Sequence, residues 1–182
     1  MLELNFTPFP VLETKRLQLR EISSADIENF FEMRSSPDAM KYIGKPLHAT
    51  IEDTQKFFKI IAEGIKNNEA ICWAICLKNE PGLIGSISFH IIQKEHHRAE
   101  IGYMLRPKFW NKGITSEAIE KVIDFGFTKM SLHSIEASID PANKISAKIL
   151  SNAGFIKEAY FKENYFFEGK FIDTEIYSLL SK

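Results

Sequence analysis

One segment of the chain combines residue types that could bind an anion. Strand-forming residues at 99–105 lead into a turn with Lys112 and Gly113, and helical periodicity begins at Thr115. A helix N-terminus presents unpartnered backbone N–H groups and a partial positive charge. Gly113 leaves room for an anion against the backbone, and Lys112 adds a cation. The segment therefore predicts a pyrophosphate site, and the alternative is a plain turn with a capping Thr115 or Ser116.

The predicted anion site differs from two common phosphate-binding motifs. It lacks the glycine spacing and the Lys-Ser/Thr pair of a Walker loop. Only Gly113 is present of the three glycines that mark a Rossmann dinucleotide site. The segment therefore indicates a different strand-turn-helix site.

The composition is that of one ordinary globular domain. The 182 residues are 45% hydrophobic and 26% charged, with a formal net charge of -1. Lysines and arginines form no stripe of the kind that duplex DNA binding requires. The chain shows no secretory-signal pattern and no run of about 20 apolar residues. We therefore expect a cytoplasmic protein with no DNA or membrane partner.

The cysteine and histidine spacings argue against a metal site. Cys72 and Cys76 share one face of a predicted strand, so we expect reduced thiols that face a core. His96 and His97 would point to opposite faces of a strand. We therefore predict that the protein binds no metal.

Hydrophobic periodicity predicts a mixed α/β (α+β) fold, with residues 1–182 forming a single domain. Strands are predicted at residues 16–22, 70–77, 83–92, 99–105, 135–139, 156–162 and 171–179. Four helices are predicted to follow the start signals near Asp26, Thr50, Thr115 and Asn143. Turn-forming residues at 79–82, 95–98 and 168–169 separate strands. The resulting order, β-α-α-β-β-β-α-β-α-β-β, places the strand-turn-helix segment at its centre.

The central segment resembles the acetyl-CoA signature of the GNAT superfamily of N-acetyltransferases, Gln/Arg-x-x-Gly-x-Gly/Ala. Residues 106–118 are also similar to a longer string, Arg-Pro-x-x-Trp-x-x-Gly-x-x-x-Glu-Ala, of the ribosomal-protein-alanine (RimJ/RimL-like) branch. Residues 13–20, 143–155 and 171–179 resemble other segments of that branch in the same order. The sequence departs from the general signature at Trp110 and Thr115, and Asn111 stands where the branch often has glycine.

This resemblance implies a GNAT-type fold and acetyl-CoA as the cosubstrate. The fold would be a mixed, mostly antiparallel sheet of six to seven strands with about four helices on both faces. The cofactor would lie between two splayed strands that end near Leu105 and Asp140. The implied cofactor-binding residues are Met104, Leu105, Asn111, Lys112, Gly113, Ile114, Thr115, Ser116 and Asn143. Asn143 would bond the pantetheine arm or cap its helix, and the N–H of Met104 or Leu105 would stabilise the oxyanion.

The resemblance also implies direct attack of an amine on the thioester, with two candidate catalytic residues. Glu100 would accept the amine proton through water, and Ser146 would protonate the leaving thiolate. An edge carboxylate paired with Arg98 is the alternative for Glu100. A second capping hydroxyl is the alternative for Ser146.

The acceptor and partners stay open at this level. The resemblance to the ribosomal-protein branch implies a protein N-terminus, with a ribosomal protein as one candidate, and it is compatible with a homodimer. The alternatives are a small amine, such as a polyamine or an aminosugar, and a non-catalytic acyl-CoA-binding module. Five aromatic residues could pack in the core or line the acceptor slot: Tyr160, Phe161, Tyr165, Phe166 and Phe167.

Overall fold

Eight strands form one continuous sheet in the order β1-β2-β3-β4-β5-β6-β8-β7. The structure, a computed structural model, describes residues 1–80 and 82–182, so Pro81 of the predicted turn at 79–82 lies outside the described residues. The strands are β1 Leu12–Glu13, β2 Leu17–Glu21, β3 Ile71–Leu77, β4 Gly85–Gln93, β5 Arg98–Leu105, β6 Ser134–Ile139, β7 Ile156–Phe167 and β8 Lys170–Leu180. The helices are α1 Ile27–Ser35, α2 Pro37–Met40, α3 Ile51–Lys66, α4 Ile114–Thr128 and α5 Lys144–Asn152.

The predicted α/β order and the mostly antiparallel sheet are confirmed, with more elements than expected. The extra elements are β1, which has two residues, and α2, a single turn that Ser36 caps. Such short elements leave too few residues for a hydrophobic period to show. The Thr50 capping box predicted at the start of α3 is confirmed. No helix within the described ranges is long and apolar enough to cross a membrane.

The strands β5 and β6 pair over only three residues. They run parallel from the Arg98–Ser134 pair to the Glu100–Glu136 pair. β5 stays paired with β4 as far as Leu105, while β6 stays paired with β8 as far as Ile139. The C-terminal halves of β5 and β6 are therefore unpaired with each other, and a gap opens beside residues 101–105.

The sheet buries a different apolar cluster on each face. One cluster joins α4 and α5 to the sheet, and its members include Ile101, Leu105, Ile119, Val122 and Leu150. The other joins α1 to the sheet through Phe30, Met33, Ala74, Cys76 and Leu83, with Met104 and residues of α3 packed against it. Odd-numbered side chains of β5 therefore face α4 and α5, and even-numbered ones face α1 and α3.

Both cysteines are free thiols, as predicted, but they differ in burial. Cys76 is buried and Cys72 is half-buried, and both lie on the face of β3 that contributes Ala74 and Cys76 to the cluster with α1. Burial raises the pKa of Cys72 to about 12. The Cys72 thiol therefore stays protonated at neutral pH, which opposes reactions that need a thiolate.

A buried carboxylate anchors the start of α1. Asp26 accepts hydrogen bonds of 2.7 Å each from the two terminal nitrogens of Arg20. It also accepts a 2.9 Å bond from the Ser23 N–H. Burial raises the pKa of Asp26, but the bonds from Arg20 and Ser23 outweigh that effect and the pKa is lowered overall.

We predict that Asp26→Asn lowers the free energy of unfolding by about 3 kcal/mol at pH 7, because it leaves Arg20 without its partner. The lowered pKa of Asp26 gives the sign of the pH dependence. The stabilisation is present above the unfolded-state pKa of about 3.9 and is lost as the pH falls through the lower folded-state pKa. Urea denaturation at several pH values measures the difference, which should shrink in acid.

The exposed Asp38 supplies the matched control, because Asp38→Asn removes a carboxylate that makes no ion pair within the described residues. Its unfolding midpoint should stay near the wild-type value. An Asp26→Asn protein as stable as the wild type at pH 7 would contradict the anchoring role.

Candidate active site

The turn before α4 presents free backbone N–H groups at a helix N-terminus. Gly113 is the N-cap with φ 71°, and no side chain caps the helix. Thr115 and Ser116 lie inside the first turn, so the alternative of a turn capped by either residue is wrong. The first backbone bond runs from the Glu117 N–H to the Gly113 oxygen, at 3.2 Å. The N–H groups of residues 114–116 therefore have no partner within the helix and are available to an anion.

The indole of Trp110 fixes this turn to the end of β5. Its Nε1 donates to the Leu105 oxygen at 2.7 Å. Asn111 then adopts a left-handed conformation with φ 59°. The aromatic residue at this position thus has a structural role, because it ties the turn before α4 to the strand that borders the gap.

A cation that the sequence did not reveal lies beside Gly113. Arg16 donates from Nη1 to the Lys112 oxygen at 2.9 Å and from Nε to Glu117 at 2.6 Å. A Cβ at Gly113 would lie 3.5 Å from Nη2 of Arg16. Thr14 also donates to Glu117, at 2.5 Å. Glu117 therefore holds Arg16 in place beside the N-terminus of α4.

Burial raises the pKa of Glu117, but hydrogen bonds from Thr14 and Arg16 outweigh it and the pKa is lowered overall. Glu117 is therefore charged at neutral pH and can keep its ion pair with Arg16. An open cleft of about 600 Å³ adjoins these residues and is lined by Thr14, Lys15, Gly113, Ser116, Glu117, Glu120, Lys121 and Asp124. The sequence signal for this arrangement is the resemblance of residues 13–20 to the family branch, which does not predict that Arg16 contacts the turn before α4.

The backbone of Leu105 faces the gap between β5 and β6. The Met104 oxygen points toward β4, since it would lie 2.5 Å from a Cβ at Gly85. At the other end of β5, the His97 oxygen accepts hydrogen bonds from the N–H groups of His133 and Ser134, so it points toward β6. Polar groups of successive strand residues point to alternate sides. The Leu105 N–H therefore points into the gap, whereas the Met104 N–H points to β4.

A pair of hydroxyl groups connects β5 to α5 on the face that α4 and α5 cover. The Ser146 Oγ lies 2.5 Å from the Tyr103 Oη. The Ser146 N–H donates to Asn143 Oδ1 at 3.1 Å, which confirms the predicted cap. The Oγ contacts Tyr103 and caps no backbone group in the described chain, so the capping alternative for Ser146 is wrong.

Tyr103 was not predicted as a site residue, because its pairing with Ser146 joins residues that are 43 positions apart. Burial raises the pKa of Tyr103 to about 12, against a smaller lowering effect of the hydrogen bond with Ser146. The phenol therefore stays protonated at neutral pH, and it can donate its hydrogen bond to the Ser146 Oγ.

Glu100 lies on the opposite face, which α1 and α3 cover. Its Oε1 is 3.6 Å from Nε2 of His90, which sits at a bulge in β4. Arg98 is ion-paired with Glu136, so the alternative that Arg98 pairs with Glu100 is wrong. Burial raises the pKa of Glu100, but the neighbouring His90 and Ser138 outweigh that effect and the pKa is lowered overall. Glu100 is therefore a carboxylate at neutral pH.

The aromatic cluster lies on the long β7–β8 hairpin rather than in the core. Four of its five members are exposed: Tyr160, Phe161, Tyr165 and Phe166. The Tyr165 hydroxyl donates to the Gly44 oxygen at 2.8 Å, so the hairpin contacts the loop after α2. A cleft of about 640 Å³ lies between the hairpin and the loop after β6, with Lys41 and Phe167 among its lining residues.

The predicted site residues thus surround one gap in the sheet. Residues 111–116 lie at the α4 N-terminus, Met104 and Leu105 end β5, and Asn143 begins α5. The two candidate catalytic side chains, Glu100 and Ser146, lie on opposite faces of the sheet. Among the residues that the structure describes, no group of three or more His, Cys, Asp or Glu is placed to hold a metal ion.

Comparison with known proteins identifies a family that covers most of the chain. The acetyltransferase (GNAT) domain matches residues 16–156. The uncharacterized N-acetyltransferase YoaA of Bacillus subtilis (strain 168) is 35% identical over 172 residues, which cover 94% of this chain and 97% of that protein. A crystal structure of a GNAT-family acetyltransferase from Bacillus anthracis has a TM-score of 0.83 and 34% identity, covering 94% of this chain and 98% of that one.

More distant relatives have two kinds of named acceptor. The ribosomal protein uS5-alanine N-acetyltransferase of Escherichia coli (strain K12) is 25% identical, with 92% of this chain and 89% of that protein covered. The spermidine N(1)-acetyltransferase of Vibrio cholerae is 23% identical, with 92% and 95% covered.

We predict that Arg16→Gln weakens the binding of inorganic pyrophosphate about tenfold, because one charge-assisted hydrogen bond contributes about 1.5 kcal/mol. Isothermal titration calorimetry measures the affinity. Lys66→Gln removes the same charge from an exposed position at the end of α3 and should leave the affinity unchanged. Equal losses in both variants would show that net charge, rather than the Arg16 position, governs binding.

Proposed function

This chain belongs to the acetyltransferase (GNAT) domain family and is an N-acetyltransferase, and we propose that its acceptor is the N-terminal α-amine of a protein. A ribosomal protein is the candidate that the uS5-alanine relative suggests. The family alone does not choose the acceptor, since a spermidine acetyltransferase is related at a similar distance. The observation that supports the choice is Glu100 itself, a carboxylate on the strand that borders the gap, with Nε2 of His90 3.6 Å from its Oε1.

The basicity of Glu100 suits an α-amine better than an alkylamine. An α-amine has a pKa of about 7.7–8.0, so a useful fraction is neutral at pH 7 without help. A polyamine nitrogen resembles a lysine amine, whose pKa is about 10.4, and needs stronger deprotonation. His90 and Ser138 keep the pKa of Glu100 low, so this carboxylate accepts protons weakly. We infer that Glu100 accepts the proton through a water molecule from an amine that gives it up readily.

The proposed cosubstrate is acetyl-CoA, and the residues around the gap fit its charges. When bound, acetyl-CoA supplies the thioester carbonyl that the amine attacks and the thiolate that leaves. The N–H groups of residues 114–116 would hold the pyrophosphate, with Arg16 and Lys112 as cations. The Asn143 oxygen already caps α5, so its amide nitrogen is the part of that side chain that could bond the pantetheine arm.

The Leu105 N–H is the proposed oxyanion donor, because it faces the gap while the Met104 N–H faces β4. Ser146 is the proposed acid for the thiolate. Tyr103 supports that role, since a protonated phenol that donates to the Ser146 Oγ leaves the serine proton free to move. The amine proton and the thiolate proton would then be handled on opposite faces of the sheet.

We predict that the protein releases free CoA from acetyl-CoA when a peptide with a free N-terminal alanine or serine is supplied. The same peptide with a blocked N-terminus should give only background release, and a thiol reagent that reports CoA measures both. Spermidine should be a poorer acceptor at pH 7. Preferential turnover of spermidine would instead support the small-amine alternative and contradict this proposal.

Two variants distinguish an enzyme from a non-catalytic acyl-CoA-binding module. Ser146→Ala and Glu100→Gln should each lower kcat by about 100-fold while acetyl-CoA still binds, since general acid–base catalysis contributes about 10²–10⁴. In the wild type, kcat/KM should rise with pH along the titration of the peptide amine. Glu100→Gln should lower that curve without moving its midpoint, because Glu100 is already ionised there. Unchanged kcat in both variants would contradict their proposed roles.

A further inference from the structure

One arginine is buried and has no anionic partner among the residues that the structure describes. Four of the five arginines form ion pairs with carboxylates: Arg16–Glu117, Arg20–Asp26, Arg98–Glu136 and Arg106–Glu32. The fifth is Arg34, in the last turn of α1, which is only 8% exposed. It forms no ion pair with any carboxylate of residues 1–80 and 82–182. Arg106 is equally buried, at 6%, but has Glu32 beside it.

The described contacts of the Arg34 guanidinium are all with uncharged groups. Its Nε donates to Nε2 of His48 at 3.3 Å, and its Nη1 lies 3.8 Å from the Met104 sulfur. Its guanidinium carbon is 5.0 Å from the centre of the Phe57 ring. The other ring nitrogen of His48 is 2.8 Å from the Thr54 hydroxyl. Burial and the charge of Arg34 lower the pKa of His48, against a smaller effect of Asp53, so this imidazole is neutral at pH 7.

This environment tolerates the cation but does not neutralise it. The carbonyl groups at the α1 C-terminus and the Phe57 ring both attract a positive charge. Burial lowers the pKa of Arg34, yet a guanidinium does not lose its proton in proteins. A buried charge without a counter-ion is unfavourable. The site is therefore ready to gain from an incoming anion.

The guanidinium keeps one edge open for such an anion. Nη2 of Arg34 makes no hydrogen bond to the residues that the structure describes. Nη2 also keeps some exposure to solvent. In the described residues, the fully enclosed side-chain nitrogen and oxygen atoms that lack a hydrogen-bond partner are Arg106 Nε and Ser178 Oγ, and Arg34 Nη2 is not one of them. A guanidinium edge binds carboxylates with well-defined geometry.

The position of Arg34 assigns the anion to the acceptor rather than to acetyl-CoA. Arg34 contacts Met104, whose side chain packs on the face of α1 and α3. The proposed pyrophosphate site at the α4 N-terminus belongs to the other face. Glu100 shares the Arg34 face, as the even-numbered side chains of β5 do. The loop after α2 contains His48, which contacts Arg34. It also contains Lys41, which lines the cleft beside the β7–β8 hairpin.

We propose that Arg34 binds a carboxylate of the acceptor, so that the enzyme prefers amines on acidic molecules. The preferred class is a protein N-terminus with an aspartate or glutamate close to the first residue. The inference rests on the proposed function only in that the acceptor amine approaches the gap from the face of α1 and α3. A polyamine would bring its second positive charge toward Arg34 and be disfavoured.

The test compares kcat/KM for peptides that differ only in charge. Acetyl-CoA is supplied with free N-terminal peptides that begin Ser-Asp or Ser-Asn, and with a second pair in which the third residue is Glu or Gln. The acidic member of at least one pair should be used about tenfold better, because a charge-assisted hydrogen bond is gained. Equal kcat/KM within both pairs would overturn the proposal, whatever the variants do.

The variants connect the preference to Arg34. Arg34→Gln should abolish the preference, so that kcat/KM for the acidic peptide falls to the value that the same variant shows for the neutral peptide. Arg34→Lys keeps the charge and should keep part of the preference, and it serves as the test if Arg34→Gln does not fold. The control Lys59→Gln removes an exposed charge of α3 and should leave the preference intact. A preference that survives in both folded Arg34 variants would overturn the proposal.

Free amino acids separate this inference from the proposed function. If free glutamate is acetylated better than its neutral diamide, and no peptide is used, the carboxylate site is supported and the N-terminal acceptor is wrong. If all peptides are acetylated equally, the N-terminal acceptor is supported and the Arg34 site is wrong. Preferential use of spermidine would contradict both.

Discussion

The short pairing between β5 and β6 is the constraint on which the rest of the structure depends. After Glu100 and Glu136, each strand follows its other neighbour, and the two diverge. The divergence leaves backbone groups of β5 without a strand partner in the middle of a sheet. Buried backbone groups are normally paired, so such an opening calls for a ligand. The cluster on the α4 and α5 face contains residues of both diverging strands, Ile101 and Leu105 of β5 and Ile135 and Ala137 of β6.

The alternation of side chains along β5 separates the chemistry of the two faces. Tyr103 points toward α5 and meets Ser146, whereas Glu100 and Met104 point toward α1 and α3. A single strand therefore contributes to the proposed acid, to the proposed base and, through the Leu105 backbone, to the proposed oxyanion site. The proposed anion site at the α4 N-terminus follows the same strand in the chain, and the hydrogen bond from Trp110 to Leu105 connects the two.

The sequence predicted what local patterns encode. The α3 capping box, the Asn143 cap and the strand-turn-helix at Gly113 depend on neighbouring residues, and all three are confirmed. The contacts that it did not predict join distant segments. Arg16 reaches the α4 turn across 96 positions of the chain, and Tyr103 reaches Ser146 across 43. Hydrophobic periodicity in the sequence indicates neither contact. That Arg34 has no anionic partner in the described residues also emerges only from the three-dimensional structure.

Amide hydrogen exchange with and without acetyl-CoA tests the central claim most directly, because it reads the backbone groups that define the proposed site. Bound acetyl-CoA should slow exchange at Leu105, at residues 111–116 and in the first turn of α5. The edge strand β7 should serve as an internal reference with little change. Bound acetyl-CoA that leaves the α4 turn and the end of β5 unprotected would contradict the claim that this gap is the cosubstrate site.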